Sequence, residues 1–189
     1  MVEAAVDGLK VELWAHDPAW ERTAKQEARR LAHVLGDNLI TVHHIGSTAV
    51  PGIKAKPTID LMPIVRSLSV LDASSDDIRV LGYQCRGEFG IPGRRYYTRT
   101  IPDTGRRLFN VHAFQHDSAE IDRHLAFCHY LRHHPDEARA YEAEKERAAA
   151  LHPNDTLAYN DAKAGWLKPC ELRALIWWNS SKASTVVEC

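Results

Sequence analysis

The fold is decided by the stretch HHIGSTAVPGIKAKPTIDLMPIV, residues 43–65. It begins within a short apolar strand over Ile40–Ile45, which ends at the turn Gly46-Ser47. After a loop punctuated by Pro51-Gly52, a second apolar strand covers Thr58–Val65. This second strand contains few polar residues, which is typical of a strand in the interior of a sheet. The stretch therefore predicts a β-sheet in which Thr58–Val65 is central.

The same stretch carries residue types suited to phosphate chemistry. A Gly46-Ser47 turn lets the backbone approach a phosphate closely and offers amide and hydroxyl donors, and Lys54 and Lys56 add positive charge. Asp60 lies in an apolar strand, where a carboxylate must be paired or bind a metal ion to be tolerated. Two alternatives remain open at this point: the turn is an ordinary strand-to-loop connection, and Asp60 is only the partner of a lysine.

The elements around this stretch complete an α+β pattern. A strand over Lys10–Trp14 and a helix from Asp17-Pro18 to Gly36 precede it, and a weak helical pattern over Leu68–Leu81 follows it. Later come strands at Tyr83–Glu88, Arg95–Thr100 and Leu108–Phe114, and then helices opening at Asp117, Pro135 and Pro153. Short turns between the later strands indicate antiparallel neighbours. We expect one α+β domain over residues 1–180 with a mixed sheet and a helical last third, and a frayed tail over 181–189.

Composition limits the possible partners. The 189 residues include 24 lysines and arginines and 25 aspartates and glutamates, so no global field attracts the chain to nucleic acid or a membrane. No apolar run approaches the roughly 20 residues of a membrane span. The N-terminal residues lack a signal-peptide pattern, and the four cysteines form no Cys-x-x-Cys pair. We therefore expect a cytoplasmic protein with reduced thiols, and a monomer or small homo-oligomer.

Longer motifs resemble a known family. The stretch 43–65 is similar to the signature of the nucleotidyltransferase superfamily, and more closely to the GrpB family. The resemblance continues in order along the chain, through GEFGIPGRRYYTR (87–99), NVHAFQ (110–115), IDRHLAFCHYLRHHPDEARAYEAEK (121–145) and AYNDAK (158–163). It implies the nucleotidyltransferase, or polymerase-beta-like, fold: a mixed, mostly antiparallel sheet with helices packed on it.

The resemblance also implies a metal site, with one departure. The superfamily holds its metal ions with two alternating carboxylates on one strand and a third on a neighbouring strand. Here Met62 stands where the carboxylate after Asp60 would be, and a thioether does not replace a hard oxygen ligand. The third position falls on the strand Leu108–Phe114, where Asn110 and His112 share a face. His112 and Asn110 are expected to complete a metal site with Asp60 or to contact a nucleotide directly. His112 could instead act as a general base or simply be hydrogen-bonded in the sheet.

Adjacent arginines follow a Gly-Ile-Pro-Gly turn. Strand alternation sends Arg94 and Tyr96 to one face and Arg95 and Tyr97 to the other. One of the two arginines is therefore expected to face the site as a phosphate clamp, and the alternative is that both are ordinary surface residues.

Two tyrosine–lysine pairs occur in the helical third. Tyr141 with Lys145, and Tyr159 with Lys163, are each spaced i, i+4 and so share a helix face. We expect the tyrosines to stack on a base and the lysines to contact a triphosphate. The alternative is an amphipathic helix on which a lysine extends beside a half-buried tyrosine.

Two functions follow from these expectations. The first is transfer of a nucleotidyl group, AMP being the expected one, from a nucleoside triphosphate with Mg²⁺ or Mn²⁺ to a small-molecule acceptor, including activation or ligation of a carboxylate. The second is an accessory module that binds a nucleotide or a coenzyme A precursor without catalysis, since a GrpB-like region is fused to dephospho-CoA kinase in some bacteria. Nucleic-acid binding is not expected, because no stripe of basic and aromatic residues is present.

Overall fold

The computed structural model describes residues 10–186, and side chains through residue 182. Within that range it has six helices and five strands. The helices are α1 Ala19–Leu35, α2 Leu68–Ala73, α3 Ser75–Val80, α4 Ala119–His133, α5 Pro135–Leu151 and α6 Thr156–Val186. The strands are β1 Leu39–Ile45, β2 Ile59–Val65, β3 Gln84–Cys85, β4 Arg95–Thr100 and β5 Arg107–Gln115.

The five strands form one mixed sheet in the order β1-β2-β5-β4-β3. β2 and β5 are parallel, and the other neighbouring pairs are antiparallel. β2 lies in the interior of the sheet with six of its seven residues buried, as its apolar sequence predicts. The α+β class and the mixed sheet are therefore confirmed.

Helices cover both faces of the sheet. On one face, α1 packs residues such as Trp20 and Leu31 against Leu61 and Val65 of β2. On the other face, α4 packs against Met62 of β2 and Phe114 of β5. Because strand side chains alternate, Asp60 lies on the same face as Met62, beside the helical third of the chain.

The helices α4, α5 and α6 share a separate apolar cluster that includes Phe127, Tyr141 and Cys170. Val50 and Ile53, from the loop between β1 and β2, are buried in that cluster. The loop after the Gly-Ser turn is thus held against the helical third, which positions that turn for the candidate site. None of the helices in the described range combines the length and apolarity needed to cross a membrane.

Several element boundaries differ from the sequence-based predictions. Lys10–Trp14 is not a strand, because Trp14 makes only an isolated bridge to Ala55. The helix predicted over Leu68–Leu81 is split at Ser74, which ends α2 and begins α3. The strand predicted over Tyr83–Glu88 is reduced to β3.

The ends of the last helices also differ. Ser118, rather than Asp117, caps α4, and its Oγ accepts a hydrogen bond from the Glu120 amide at 3.3 Å. α6 continues through Pro169 to Val186, so the structure assigns residues 181–186 of the predicted frayed tail to this helix. Residues 187–189 lie outside the described range, as do residues 1–9.

Candidate active site

The Gly46-Ser47 turn lies directly against Asp60. Ile45, the last residue of β1, pairs with Asp60 near the start of β2, so the turn begins beside the carboxylate. Gly46 has φ 71° and ψ −169°, a conformation that side-chain-bearing residues rarely adopt. A Cβ built on Gly46 would lie 2.4 Å from Asp60 Oδ2. Glycine is therefore required here both by its backbone conformation and by the close approach of Asp60.

The Asp60 carboxylate is held by polar groups of the neighbouring strands. Asn110 Nδ2 donates a hydrogen bond to Asp60 Oδ1 at 2.8 Å, and the Asp60 side chain is 25% exposed. Burial alone would raise the pKa of Asp60, but His112, Asn110 and Lys56 together outweigh it and lower that pKa. Asp60 is therefore an anion at neutral pH, and it remains accessible to a ligand.

His112 has a defined tautomer. Its Nδ1 lies 3.3 Å from Arg94 Nη1, and a guanidinium can only donate, so Nδ1 accepts and the ring proton resides on Nε2. That Nε2 lies 3.6 Å from Asp60 Oδ1. With Nδ1 occupied and Nε2 protonated, His112 presents a donor to the site rather than a lone pair. The roles of metal ligand and general base predicted for His112 do not fit this geometry.

Arg94 faces the site side of the sheet, but its donors are already used. It is 6% exposed, and besides His112 it donates to the carbonyl oxygens of Glu88 at 3.1 Å and Phe89 at 2.6 Å. A phosphate could be clamped only by breaking these bonds. Arg94 therefore positions the loop 87–93 and His112. Its donors are not available for the phosphate contact that the sequence predicts.

Lys56 and Lys163 lie near this carboxylate, and Lys145 lies near Lys163. Lys56 and Lys163 lie over the Tyr159 ring at 4.9 and 4.1 Å, and Lys145 lies over the Tyr141 ring at 4.6 Å. Burial, followed by the charges of Lys56 and Lys145, lowers the pKa of Lys163 to about 7. Burial lowers the pKa of Lys145 to about 8. We call these three residues the lysine cluster.

The two tyrosines of the helical pairs are structural. Tyr141 is 5% exposed and its hydroxyl accepts a hydrogen bond from Ser47 Oγ at 3.1 Å, while Tyr159 is 1% exposed. Neither ring has a free face for a nucleobase, so the predicted base stacking does not fit. Tyr141 instead ties the Gly-Ser turn to α5, which brings Ser47 next to the lysine cluster.

Two other predicted phosphate ligands point elsewhere. Lys54 Nζ pairs with Glu146 at 2.6 Å, and its amide donates to Glu142 at 2.8 Å, so it lies on the outer surface of α5. Its carbonyl oxygen accepts a hydrogen bond from Lys145. Arg95 makes a bidentate pair with Asp72, at 2.6 and 2.8 Å, on the opposite face of the sheet.

The sequence-based reasoning missed Arg107. Its Nη1 donates to Asn110 Oδ1 at 3.0 Å, and its buried Nε has no partner among the described residues. Simple alternation places Arg107 and Asn110 on opposite faces, because they are three positions apart. A register shift between β4 and β5 at Arg99/Thr100 interrupts this alternation next to Arg107, and no feature of the sequence predicts the shift.

The residues present fit a magnesium ion only together with a phosphate ligand. Within residues 10–186 no group of three or more histidine, cysteine, aspartate or glutamate side chains could hold a metal ion. Met62 is fully buried on the Asp60 face, so this strand offers one carboxylate. Mg²⁺ accepts one carboxylate when phosphate oxygens and water complete its octahedron.

A separate groove of about 550 Å³ lies on the other side of β1, between that strand and α1. Its walls include His16, Lys25, His44 and Arg132, and Asp60 is not among them. The carboxylate in its lining, Glu21, is paired with Lys25 at 2.6 Å. We therefore place the candidate site at Asp60, where unpaired cations meet one anion.

Comparison with known proteins agrees with the family expected from the motifs. The family model described as GrpB protein matches residues 10–173. The crystal structure of conserved protein GrpB from Enterococcus faecalis is 38% identical, covers 88% of this chain and 99% of that chain, and has a TM-score of 0.83. UPF0157 protein YqkA of Bacillus subtilis is 37% identical over 89% of this chain, and the chain spans 48% of that relative's length.

A more distant relative is a larger protein. Dephospho-CoA kinase of Mycolicibacterium paratuberculosis is 27% identical over 90% of this chain, and the match spans 47% of that protein. The matching family model, the relatives above 30% identity and the similar crystal structure lead to one conclusion. This chain belongs to the GrpB family.

Proposed function

We propose that the chain is a nucleotidyltransferase of the polymerase-beta-like fold, which transfers a nucleotidyl group from a Mg²⁺-bound nucleoside triphosphate to a small-molecule acceptor. One observation carries the proposal: the lysine cluster lies beside a Gly-Ser turn that is packed against a single carboxylate. Among the described residues no ion pair joins Lys56, Lys145 or Lys163 to a carboxylate. Buried cations without a paired anion are costly, and a polyanion offsets that cost.

A polyphosphate is the ligand that matches this charge distribution. The lysine cluster and Arg107 supply up to four positive charges, whereas Asp60 supplies one negative charge. Ser47 Oγ lies at the same place and can donate to a phosphate oxygen once it leaves Tyr141. The β- and γ-phosphates are accordingly assigned to the lysine side of the site, and the α-phosphate to Asp60.

Asp60 would hold the Mg²⁺ together with phosphate oxygens. The ion supplies neutralisation of the charge that develops on the transferring group. The chain's own residues bind and orient: the lysine cluster holds the leaving pyrophosphate, Asn110 fixes the Asp60 carboxylate, and His112 presents its Nε2 proton. Such positioning and charge stabilisation account for most catalysis in this class of reaction.

The transfer balances without a further co-reactant. A hydroxyl or carboxylate oxygen of the acceptor forms a bond to the α-phosphorus, and the bond from that phosphorus to the bridging oxygen breaks. Pyrophosphate leaves, and a hydroxyl acceptor releases its proton to water. A carboxylate acceptor would yield an acyl-nucleotide, the first half of a ligation.

Nucleotide binding tests the proposal directly. Calorimetry with ATP, GTP, CTP and UTP, each with Mg²⁺, Mn²⁺ or no metal, should show metal-dependent binding by the wild type. Lys163→Met should weaken that binding at least tenfold, whereas Lys54→Met, which removes an exposed lysine paired with Glu146, should leave it within a factor of two. Absence of binding under all conditions would overturn the proposal.

A second candidate is a non-catalytic module for a nucleotide or a coenzyme A precursor. The buried Met62, which removes one carboxylate from the strand, and the relative whose name is dephospho-CoA kinase favour it. Incubation of the protein with α-phosphate-labelled ATP and a small-molecule extract distinguishes the two. A labelled product that depends on Asp60 supports transfer, and binding of ATP or dephospho-CoA without any product supports the module.

A further inference from the structure

Phe89 is an exposed aromatic residue in a strained backbone conformation. It is 61% exposed, and its φ of 44° makes it the one non-glycine residue with positive φ in residues 10–186. A bulky side chain in this region is uncommon and persists only when the surroundings enforce it. Burial does not explain the conformation, because most of the side chain faces solvent.

The strain is enforced by Arg94. The guanidinium donates to the carbonyl oxygens of Glu88 and Phe89, and is itself buried between this loop and His112. These bonds hold the backbone of the loop 87–93 against the Arg94 side chain and so fix the position of Phe89. A buried arginine is thus used to hold an exposed phenylalanine in place.

The Phe89 ring is connected to the candidate site through Tyr96. Phe89 stacks on Tyr96 with ring centroids 5.3 Å apart and planes 28° apart. The Tyr96 hydroxyl donates to Asn110, which holds Asp60, and the Tyr96 ring lies 5.0 Å from the His112 ring. One face of Phe89 is therefore covered by Tyr96, and most of the residue remains exposed to a ligand bound beside Tyr96.

The position suits the base of a nucleotide whose polyphosphate is bound by the lysine cluster. Asp60 is on β2 and Tyr96 on β4, two strand spacings or about 10 Å apart, with β5 between them. A ribose and its base, starting from an α-phosphate at Asp60, cover such a span. Other aromatic rings are less suited to stack on the base. Tyr141 and Tyr159 are buried, and the exposed Trp14 ring has the Arg106 guanidinium 5.7 Å from its centre.

We propose that Phe89, held on Tyr96 by Arg94, is the stacking platform for the nucleobase. The inference rests on the proposed function, because it needs a nucleotide at the lysine cluster. Every base has a π-face, so a platform of this kind binds the ring without selecting one base strongly. Phe89 contacts the ligand, whereas Arg94 is a positioning residue.

The test compares ATP with inorganic tripolyphosphate, which lacks the base, by calorimetry with Mg²⁺. In the wild type ATP should bind more tightly than tripolyphosphate. Phe89→Ala should weaken ATP binding by about 5- to 150-fold, the range for loss of one base–aromatic stack, and leave tripolyphosphate unchanged. Phe89→Trp should retain the preference for ATP. Trp14→Ala, the matched loss of an exposed ring, should leave both affinities unchanged.

The outcomes separate the two proposals. If the wild type binds both probes and Phe89→Ala leaves the ratio of their affinities unchanged, the platform is overturned and the polyphosphate site stands. An equal loss of both affinities in Phe89→Ala also overturns it. If the wild type binds neither probe, the proposed function fails and the platform fails with it. Circular dichroism of each variant checks that the fold is retained.

Discussion

Gly46 and Asp60 are in contact with no room between them for a side chain: a Cβ on Gly46 would lie 2.4 Å from Asp60 Oδ2. The contact joins the end of β1 to the start of β2 and fixes the Ser47 hydroxyl relative to the carboxylate. Because the phosphate-binding turn and the metal-binding carboxylate of the proposed site are adjacent, a change at Gly46 must disturb both.

Gly46→Ala should destabilise the protein and displace Asp60. The positive φ alone costs about 1–3 kcal/mol for alanine, and the clash adds to that. Gly36→Ala is the control, because Gly36 also has positive φ, 50°, but nothing lies within 4 Å of its Cβ position. Denaturant unfolding should show a larger loss for Gly46→Ala, which alone should impair tripolyphosphate binding. Equal losses of stability and unchanged binding in both variants would contradict this account.

Lys163→Met should stabilise the ligand-free protein near neutral pH. The pKa of Lys163 is lowered from 10.5 to about 7, so the folded state releases a proton that the unfolded state keeps between those pH values. The stability of the wild type therefore rises with pH across this window, by at most about 1.4 kcal/mol per pH unit from this group. The advantage of Lys163→Met should be largest below pH 7 and disappear towards pH 10.5. Urea unfolding at several pH values measures it, and an advantage independent of pH would contradict the assignment.

Binding of a polyphosphate should be accompanied by proton uptake at pH 8. Lys163 and Lys145, with pKa values lowered to about 7 and about 8, are partly neutral at this pH, and an adjacent anion favours their charged forms. Calorimetry in buffers with different ionisation enthalpies counts the protons. The wild type should take up about one proton or more per tripolyphosphate bound, and Lys163→Met should take up fewer. Proton release, or no exchange, would show that these lysines do not meet the ligand.

His112 should carry its proton on Nε2 when neutral. The donor Arg94 occupies Nδ1, which leaves Nε2 as the protonated nitrogen facing Asp60. Long-range proton–nitrogen NMR of histidine-labelled protein distinguishes the two nitrogens. Arg94→Leu should remove the constraint and mix the tautomers. A wild-type spectrum with the proton on Nδ1 would contradict the arrangement and restore a general-base role.

The sequence predicts the elements whose pattern is local. The apolar run of β2, the Asp17-Pro18 start of α1 and the Pro135 start of α5 all specify structure through nearby residues, and the structure has each of them. The strand predicted over Lys10–Trp14 fails because a strand needs a neighbouring strand, and Trp14 has only one bridge partner. Alternating residues alone cannot supply that partner.

The residues of the site are harder to predict from the sequence, because they also depend on partners that are distant along the chain. Lys54 carries the right charge in the right loop, but Glu146, 92 residues later, pairs with it. Arg95 is likewise taken by Asp72, and Arg107 enters the site only through a shift in strand register. The residues that meet at Asp60 come from β1, β2, β4, β5 and the helical third. Which of several plausible lysines and arginines reach it is decided by these long-range contacts.

The most direct test of the account is the affinity of tripolyphosphate and ATP, with and without Mg²⁺, for wild type and Asp60→Asn. Asn110 can still hydrogen-bond to the asparagine oxygen, and circular dichroism checks that the fold persists. In the wild type Mg²⁺ should strengthen ATP binding. In Asp60→Asn that enhancement should vanish, while metal-free tripolyphosphate should bind about tenfold more tightly, because a negative charge beside the lysine cluster is gone. An Asp60→Asn variant that keeps the full Mg²⁺ enhancement would contradict the assignment of Asp60 as the metal-holding carboxylate of a polyphosphate site.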